Sequence, residues 1–133
     1  MSVPFIDFKE QNQLIRTEVD AGIKKVFDKG DYILGEQAQI FEKSFAQYCD
    51  VAYGVGVNSG TDALYLALSA LDIKEGDEVI VPTHTFIATA LCVSCVGAKV
   101  VFVDIESDTC NIDPRSIEKV ITKRTKADRK SVV

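Results

Sequence analysis

Residues 75–82 read Glu-Gly-Asp-Glu-Val-Ile-Val-Pro, a turn followed by a short apolar run that is rich in β-branched residues and shows no polar alternation. Strands of this kind are expected where helices cover both faces of a parallel sheet. Residues 99–103, Lys-Val-Val-Phe-Val, have the same character, and they follow a helical pattern over about 85–96 that ends at Gly97. The order strand, helix, strand predicts an α/β fold with helix layers around a mainly parallel sheet.

The same alternation continues on both sides of this segment. Upstream, residues 52–57 predict a further strand, and Ser59 opens a helix whose apolar residues recur at helical spacing. Downstream, Asp113 and Pro114 predict an N-cap followed by proline in the first turn of another helix. In such sheets, ligands bind beyond the carboxyl ends of the strands, where helix N-termini converge.

The first 50 residues have a different, helical pattern. Apolar residues at three- and four-residue steps predict a first helix that ends near Gly30, and a second helix after a turn at 31–35. We expect one domain over residues 1–133, incomplete at its end, with no internal repeat or linker. Its parts are a helical lead-in at 1–50, βα repeats at 51–127 and a divergent tail at 128–133.

Composition and charge exclude several classes of function. The formal net charge of -5 and the lack of a basic face argue against nucleic-acid binding. The sequence has no run of about 18 or more apolar residues, and its N-terminus lacks the pattern of a secretory signal, so we expect no membrane span. We therefore expect a cytoplasmic protein whose four cysteines are reduced.

Four residues at the predicted start of the helix after the first strand could bind phosphate: Ser59, Gly60, Thr61 and Asp62. Ser59 can cap the helix, Gly60 leaves the first amides open to close approach, and Thr61 adds a hydroxyl. Helix N-termini bind anions through free N–H groups and the helix dipole. Asp62 would repel a phosphate, so we expect its side chain to turn aside and bond backbone amides or hydroxyls. By local chemistry alone, a well-capped helix start is an equally valid interpretation.

Better-known glycine and serine motifs do not fit this segment. The spacing of Gly54, Gly56 and Gly60 differs from the dinucleotide pattern G-x-G-x-x-G, and the Walker pattern is absent. The esterase pattern G-x-S-x-G fails as well, because two residues separate Gly56 from Ser59. A nucleotide-dependent oxidoreductase and a serine hydrolase are both disfavoured.

Three residues near the other predicted strand ends are weaker candidates. Phe86, just after the second strand, could stack on a flat heteroaromatic ring or could belong to the core. His84 is the only histidine, and Asp104 follows the third strand; each is either functional or an ordinary polar residue of a loop or cap.

Cys92 and Cys95 have the spacing of a redox or zinc motif. A reactive pair needs its first sulfur at a helix N-terminus, whereas this pair lies late in an apolar helix. Cys49, Cys110 and His84 offer no second pair of zinc ligands. We therefore expect buried structural thiols and no metal site.

Taken together, these segments closely resemble the DegT/DnrJ/EryC1/StrS family, whose members are mostly sugar-nucleotide aminotransferases. The motifs that carry the resemblance occur in order along most of the chain: residues 3–7, 32–35, 57–64, 76–82, 85–89, 102–104, 111–114 and 125–127. The resemblance implies the N-terminal part of the large domain of the aspartate-aminotransferase fold, fold type I. It also implies pyridoxal 5'-phosphate (PLP) as cofactor and a homodimer with sites at the subunit interface.

The resemblance assigns roles to residues that local chemistry left open. It implies that Gly60, Thr61 and Asp62 lie at the cofactor phosphate, with Ser59 opening their helix, and that Phe86 stacks on the pyridine ring. Tyr32 resembles a residue near the sugar site, although a packing role is equally open. The implied reaction transfers an amino group, usually from glutamate, to a nucleotide-linked keto-sugar.

The resemblance ends after Ala127, where the family continues as an apolar strand and this chain reads Asp-Arg-Lys-Ser-Val-Val. The family's lysine that binds the cofactor covalently lies further along, so we expect no catalytic residue here. We expect a truncated chain, from a frameshift or premature stop, that is inactive alone. Two alternatives remain: a PLP-family sugar dehydratase, and a non-catalytic fragment that binds a phosphorylated ligand or a partner.

Overall fold

The computed structural model describes residues 3–129 of the chain. The chain divides into two compact units, Met1–Gly56 and Val57–Val133. The prediction that both belong to one incomplete domain stays a prediction. No helix within residues 3–129 combines the length and apolar character needed to cross a membrane.

The first unit contains the two predicted helices, α1 (Lys9–Lys29) and α2 (Glu36–Tyr48). Gly30 ends α1 with a φ of 72°, the left-handed conformation that glycine adopts without steric cost. In the turn that follows, the carboxylate of Asp31 accepts a hydrogen bond from the backbone N–H of Glu36, at the start of α2, with a distance of 3.0 Å. The helix predicted from the apolar stripe is present, but no residue of α1 is buried, and Leu14 is 82% exposed.

The predicted strand at residues 52–57 is wrong, because this segment is irregular in the structure. A strand needs a hydrogen-bonding neighbour, and in this segment the one backbone N–H seen to bond, that of Gly56, bonds to a side chain of α2. The N–H of Val51 donates to the carbonyl of Ala46, and the N–H of Gly56 donates to Oε1 of Glu42 at 2.6 Å. An apolar run with glycines can be extended without joining a sheet.

The second unit alternates helices and strands as predicted. Its elements in chain order are α3 (Gly60–Ala70), β1 (Glu78–Pro82), α4 (Ile87–Cys95), β2 (Lys99–Val103), α5 (Pro114–Val120) and β3 (Thr125–Asp128). Gly97 follows α4 with a φ of 78°, which confirms it as the stop of that helix. Asp113 is the N-cap of α5, accepting the N–H of Arg115 at 3.0 Å, with Pro114 in the first turn.

The three strands form a parallel sheet in the order β2-β1-β3, so β1 is central. Val79 and Val81 on one face pack with Val93 of α4, and Ile80 on the other face packs with Val103, Ile112 and partly buried residues of α5. Every residue of β1 is buried. The absence of polar alternation in β1 therefore reflects a strand that is covered on both faces, as predicted.

Strand β3 continues into the segment that the sequence marks as a divergent tail. Asp128 is paired with Ile80, and the N–H of Arg129 donates to the carbonyl of Ile80 at 2.8 Å. Because β3 is an edge strand of the sheet, its polar side chains can reach solvent while its backbone stays paired with β1. The change in composition thus begins inside β3, at its last residue, Asp128. The rest of the predicted tail, residues 130–133, lies outside the described residues.

At the amino end of the sheet, one buried carboxylate joins β1 to β2 and to the segment that precedes β3. Glu78 opens β1 and is 2% exposed. Its oxygens accept hydrogen bonds from Thr122 Oγ1 at 2.6 Å, Arg124 Nη2 at 2.8 Å and Lys99 Nζ at 3.2 Å. The hydrogen bond from Thr122, supported by those two cations, holds the pKa of Glu78 below its ordinary value, against the opposing effect of burial.

Candidate functional site

The start of α3 has the capped geometry expected from the sequence. Ser59 is extended, with φ -158° and ψ 165°, and its Oγ accepts the backbone N–H of Asp62 at 3.1 Å. The same hydroxyl lies 3.0 Å from Oδ2 of Asp62, to which it donates. The carboxylate of Asp62 thus turns aside to a hydroxyl, and the amides of Gly60 and Thr61 at the first turn have no partner within the helix.

Gly60 leaves open space at this helix end. A Cβ atom built on Gly60 meets no atom within 4 Å among the neighbouring groups. The first-turn amides are therefore accessible to a ligand, and a larger side chain at position 60 would occupy that space.

The start of α4 contributes an aromatic ring. Phe86 is the N-cap residue, with an extended backbone, and its side chain is 70% exposed, so it does not belong to the core. One turn later, Thr89 is buried, and its Oγ1 lies 2.9 Å from Oγ1 of Thr85. The hydroxyl pair fixes the first turn of α4 beside the exposed ring.

These two helix starts share one cavity of about 490 Å³ at the carboxyl end of the sheet. Its lining residues come from α3, from α4 and from the end of β3: Gly60, Thr61, Ala63, Leu64, Phe86, Ala88, Thr89 and Arg129. The structure therefore brings together three of the predicted site residues, Gly60, Thr61 and Phe86. Ser59 and Asp62 do not line the cavity but bond to each other beside it.

Arg129 is a member of this site that the sequence prediction missed. Its Nε atom is shielded from solvent and has no hydrogen-bond partner among residues 3–129. It was assigned to a divergent tail, although its position directly after a strand next to the centre of the sheet places it at the carboxyl end. That position follows from the pairing of β3 with β1, for which the sequence carries no clear signal, whereas the helical spacing from Phe86 was the available signal for Thr89.

The other candidate residues lie elsewhere. Asp104 is exposed, accepts the N–H of Ile105 at 2.8 Å and does not line the cavity, and neither does the exposed His84. Tyr32 belongs to the first unit, where its ring packs edge-on against Phe27 with 5.9 Å between centroids. The role near a sugar site that is expected for Tyr32 stays a prediction.

The two cysteines of the C-x-x-C segment differ from each other. Cys92 is buried, and its Sγ donates to the carbonyl of Thr61 at 3.2 Å, which links α4 to the first turn of α3. Burial raises the pKa of the Cys92 thiol, so this sulfur is a poor thiolate. The expectation that both thiols are buried is wrong for Cys95, which is exposed because it lies at the border of the packed face of α4. Residues 3–129 contain no group of three or more acidic, histidine or cysteine side chains able to hold a metal ion.

Comparison with known sequences identifies the family of the chain. A sequence model of the DegT/DnrJ/EryC1/StrS aminotransferase family matches residues 13–128. The chain belongs to this family. Among its curated relatives is the dTDP-3-amino-3,4,6-trideoxy-alpha-D-glucose transaminase of Streptomyces venezuelae, which is 51% identical over 125 residues. That match covers 94% of this chain and 33% of the relative.

Solved structures of family relatives agree with the fold. The crystal structure of Streptomyces venezuelae DesV in complex with a ketimine intermediate superposes with a TM-score of 0.91 at 51% identity, covering 95% of this chain and 34% of that chain. The structure of ntda from Bacillus subtilis with bound cofactor PMP gives a TM-score of 0.86 at 34% identity, covering 96% and 29%. This chain is therefore the N-terminal part of a fold type I large domain, and it spans about a third of the length of the relatives it matches.

Proposed function

We propose that this chain is the cofactor-binding N-terminal portion of a PLP-dependent sugar-nucleotide aminotransferase. The observation that supports this most strongly is the shared cavity, in which Gly60 and Thr61 at the start of α3 lie with the exposed ring of Phe86. An anion-binding helix end beside an aromatic face is what a phosphorylated pyridine requires. Membership of an aminotransferase family supports the same proposal.

The amides of the first turn of α3 would bind the cofactor phosphate. Helix N-termini attract anions through unsatisfied N–H groups and a partial positive charge. The open space above Gly60 fits a phosphate that approaches the backbone closely. Because the hydroxyl of Ser59 engages the carboxylate of Asp62, that negative charge is turned away from the amides.

Phe86 and Thr89 would orient the ring. A side chain that is 70% exposed at the mouth of a cavity gains apolar burial when a planar ring stacks on it. Thr89 also lines the cavity, and its hydroxyl is held by that of Thr85. The role proposed for Phe86 is therefore stacking, and for Thr89 it is support of the cavity floor.

When bound, the cofactor's pyridine ring supplies the electron sink for amino-group transfer. The substrates proposed for the intact enzyme are an amino donor such as glutamate and a nucleotide-linked keto-sugar, and a cytoplasmic homodimer is proposed as its form. Relatives named as transaminases favour this over the dehydratase and the non-catalytic fragment. The role proposed for this portion is reversible binding of the cofactor's phosphate and ring.

The test removes one backbone N–H from the first turn of α3 and leaves the helix intact. Proline is favoured at the first helical position, where its missing N–H breaks no helical bond, and the extended Ser59 is compatible with a following proline. We expect Gly60→Pro to weaken binding of pyridoxamine phosphate by about tenfold, the effect of losing a hydrogen bond to a charged group. Gly60→Ala is the matched control, because it adds bulk at the same position but keeps the amide.

The measurement is equilibrium binding of pyridoxamine phosphate and of pyridoxamine, followed by ligand fluorescence. The proposed site predicts that only the phosphorylated compound binds detectably and that Gly60→Pro is weaker than Gly60→Ala. Equal affinities of the two variants, or equal binding of the two compounds, would count against the phosphate site at α3.

A further inference from the structure

We infer that Arg129 supplies the cationic partner of the phosphorylated ligand in the cavity between α3 and α4. This inference rests on the proposed function, and it concerns a residue for which the resemblance to the family gives no role. In this chain the residue follows β3 directly, where the sequence departs from the family pattern.

The first argument is the environment of the guanidinium. The side chain of Arg129 lines the cavity together with Gly60, Thr61 and Phe86. It also lines a smaller, mainly apolar cavity of about 100 Å³ with residues of α3, β1 and α4. Arg129 therefore borders both the start of α3 and apolar residues of α3, β1 and α4.

The second argument is the unsatisfied donor. Nε of Arg129 is buried and has no hydrogen-bond partner among residues 3–129. A guanidinium stays charged at every physiological pH, and a buried donor of a charged group that lacks a partner is strongly unfavourable. A ligand with anionic oxygens in the adjoining cavity would provide the missing acceptor.

The third argument is that the acidic residues nearby are engaged or exposed. The carboxylate of Asp62 accepts the hydroxyl of Ser59, and Asp128 is exposed on β3. No salt bridge among the described residues includes Arg129. Arg124, which lies just before β3, is by contrast paired with Glu78. The arginine at the carboxyl end of the sheet is thus left for a ligand.

The chemistry that fits is a phosphate monoester. Arginine presents parallel N–H donors that match two phosphate oxygens, and helix amides bind the same dianion from another side. The two contributions together give a noncovalent site, since no bond to a lysine is involved. Binding should therefore depend on the phosphate and on Arg129 and should weaken as salt is raised.

The experiment measures binding of pyridoxamine phosphate, whose amine cannot form a Schiff base with a lysine. We expect Arg129→Gln to weaken binding by about tenfold or more, and Arg129→Lys to retain part of the affinity because the positive charge remains. Lys126→Gln is the matched control: it removes one positive charge from the same strand, at an exposed side chain, and should change affinity less than about twofold. Circular dichroism establishes that each variant is folded.

A second measurement needs no variant. Phenylglyoxal modifies accessible guanidinium groups, and mass spectrometry locates the modified arginines. We expect pyridoxamine phosphate to slow modification of Arg129 and to leave Arg115 unaffected. Inorganic phosphate should protect Arg129 as well, at higher concentration.

The outcomes separate the inference from the proposed function. Binding of pyridoxamine phosphate that is unchanged in Arg129→Gln, with no protection of Arg129, overturns the inference and leaves the phosphate site at α3 standing. Absence of binding by the unmodified chain overturns both. Loss of affinity in Arg129→Gln, with recovery in Arg129→Lys, supports the inference.

Discussion

At the amino ends of the strands, the buried carboxylate of Glu78 accepts three hydrogen bonds, whereas at the carboxyl ends the buried Nε of Arg129 has no partner among residues 3–129. The first charge is fully compensated by Thr122 and by two cations that reach solvent. The second faces a cavity of about 490 Å³. The amino end of the sheet holds a paired charge, and binding is proposed for the carboxyl end, so substitutions at the two ends should have separable effects.

The largest effect is expected at the amino end. Glu78→Gln removes the negative charge that joins β1 to the segments around Lys99 and Arg124, so we expect the thermal unfolding midpoint to fall by roughly 5–15 °C. Affinity for pyridoxamine phosphate should stay within about twofold, because the site lies at the opposite end of the sheet. Thermal melts by circular dichroism check the first statement and ligand fluorescence the second.

Glu75→Gln is the control for this variant, since Glu75 is an exposed carboxylate in the preceding turn. An unchanged midpoint in Glu78→Gln would show that the buried cluster contributes little. A large loss of affinity in a folded Glu78→Gln protein would show that the two ends are coupled.

Acid should affect the amino end next. The pKa of Glu78 is held below its ordinary value of 4.5, so its contribution to stability is present above that pH and is lost as the pH falls through the lowered value. The midpoint should therefore decrease between about pH 5 and pH 3, and less steeply in Glu78→Gln. The pKa values of Asp72 and Asp113 are also lowered, by a hydrogen bond from Lys74 and from Arg115 respectively, so part of the decrease should persist in the variant. A pH series of thermal melts that is identical for both proteins would contradict this assignment.

A smaller and opposite pattern is expected at the carboxyl end. Phe86 is exposed, so Phe86→Leu should leave the unfolding midpoint nearly unchanged. Loss of ring stacking should weaken the binding of pyridoxamine phosphate by about three- to tenfold, and the binding of pyridoxal phosphate by a similar factor. Retained affinity in Phe86→Leu would mean that the ligand ring lies elsewhere in the cavity.

The smallest effect is expected at Asp104. Its carboxylate accepts the N–H of the next residue and does not line the cavity. Asp104→Asn should therefore change ligand affinity by less than about twofold, and titration of the variant beside the unmodified chain checks this. A tenfold change would restore Asp104 as a site residue.

Much of the second unit follows from local sequence rules. The buried strands β1 and β2, the left-handed Gly97 and the Asp113-Pro114 helix start are each fixed by residues within a few positions, and all four predictions are confirmed. The strand at 52–57 failed because pairing depends on a neighbour in space, which the apolar pattern does not specify.

The site was predictable only in part for a similar reason. Helix capping at Ser59 is local, and the meeting of Gly60 with Phe86 follows from the parallel topology, in which helix starts share the carboxyl end of the sheet. Arg129 was missed because its position depends on the pairing of β3 with β1, and its polar neighbours concealed that pairing. The burial of Glu78 could not be predicted from the sequence either, since its three partners lie 21 to 46 positions away along the chain.

The most direct test of the phosphate site is a titration of ¹⁵N-labelled protein with pyridoxamine phosphate, followed by amide chemical shifts. Binding at the start of α3 predicts that the largest shifts occur at Gly60 and Thr61, with further changes at Thr89 and Arg129, and that pyridoxamine without phosphate leaves them unchanged. Saturable binding whose largest shifts fall outside these residues, or none at Gly60 and Thr61, would contradict a phosphorylated-pyridine site in this cavity.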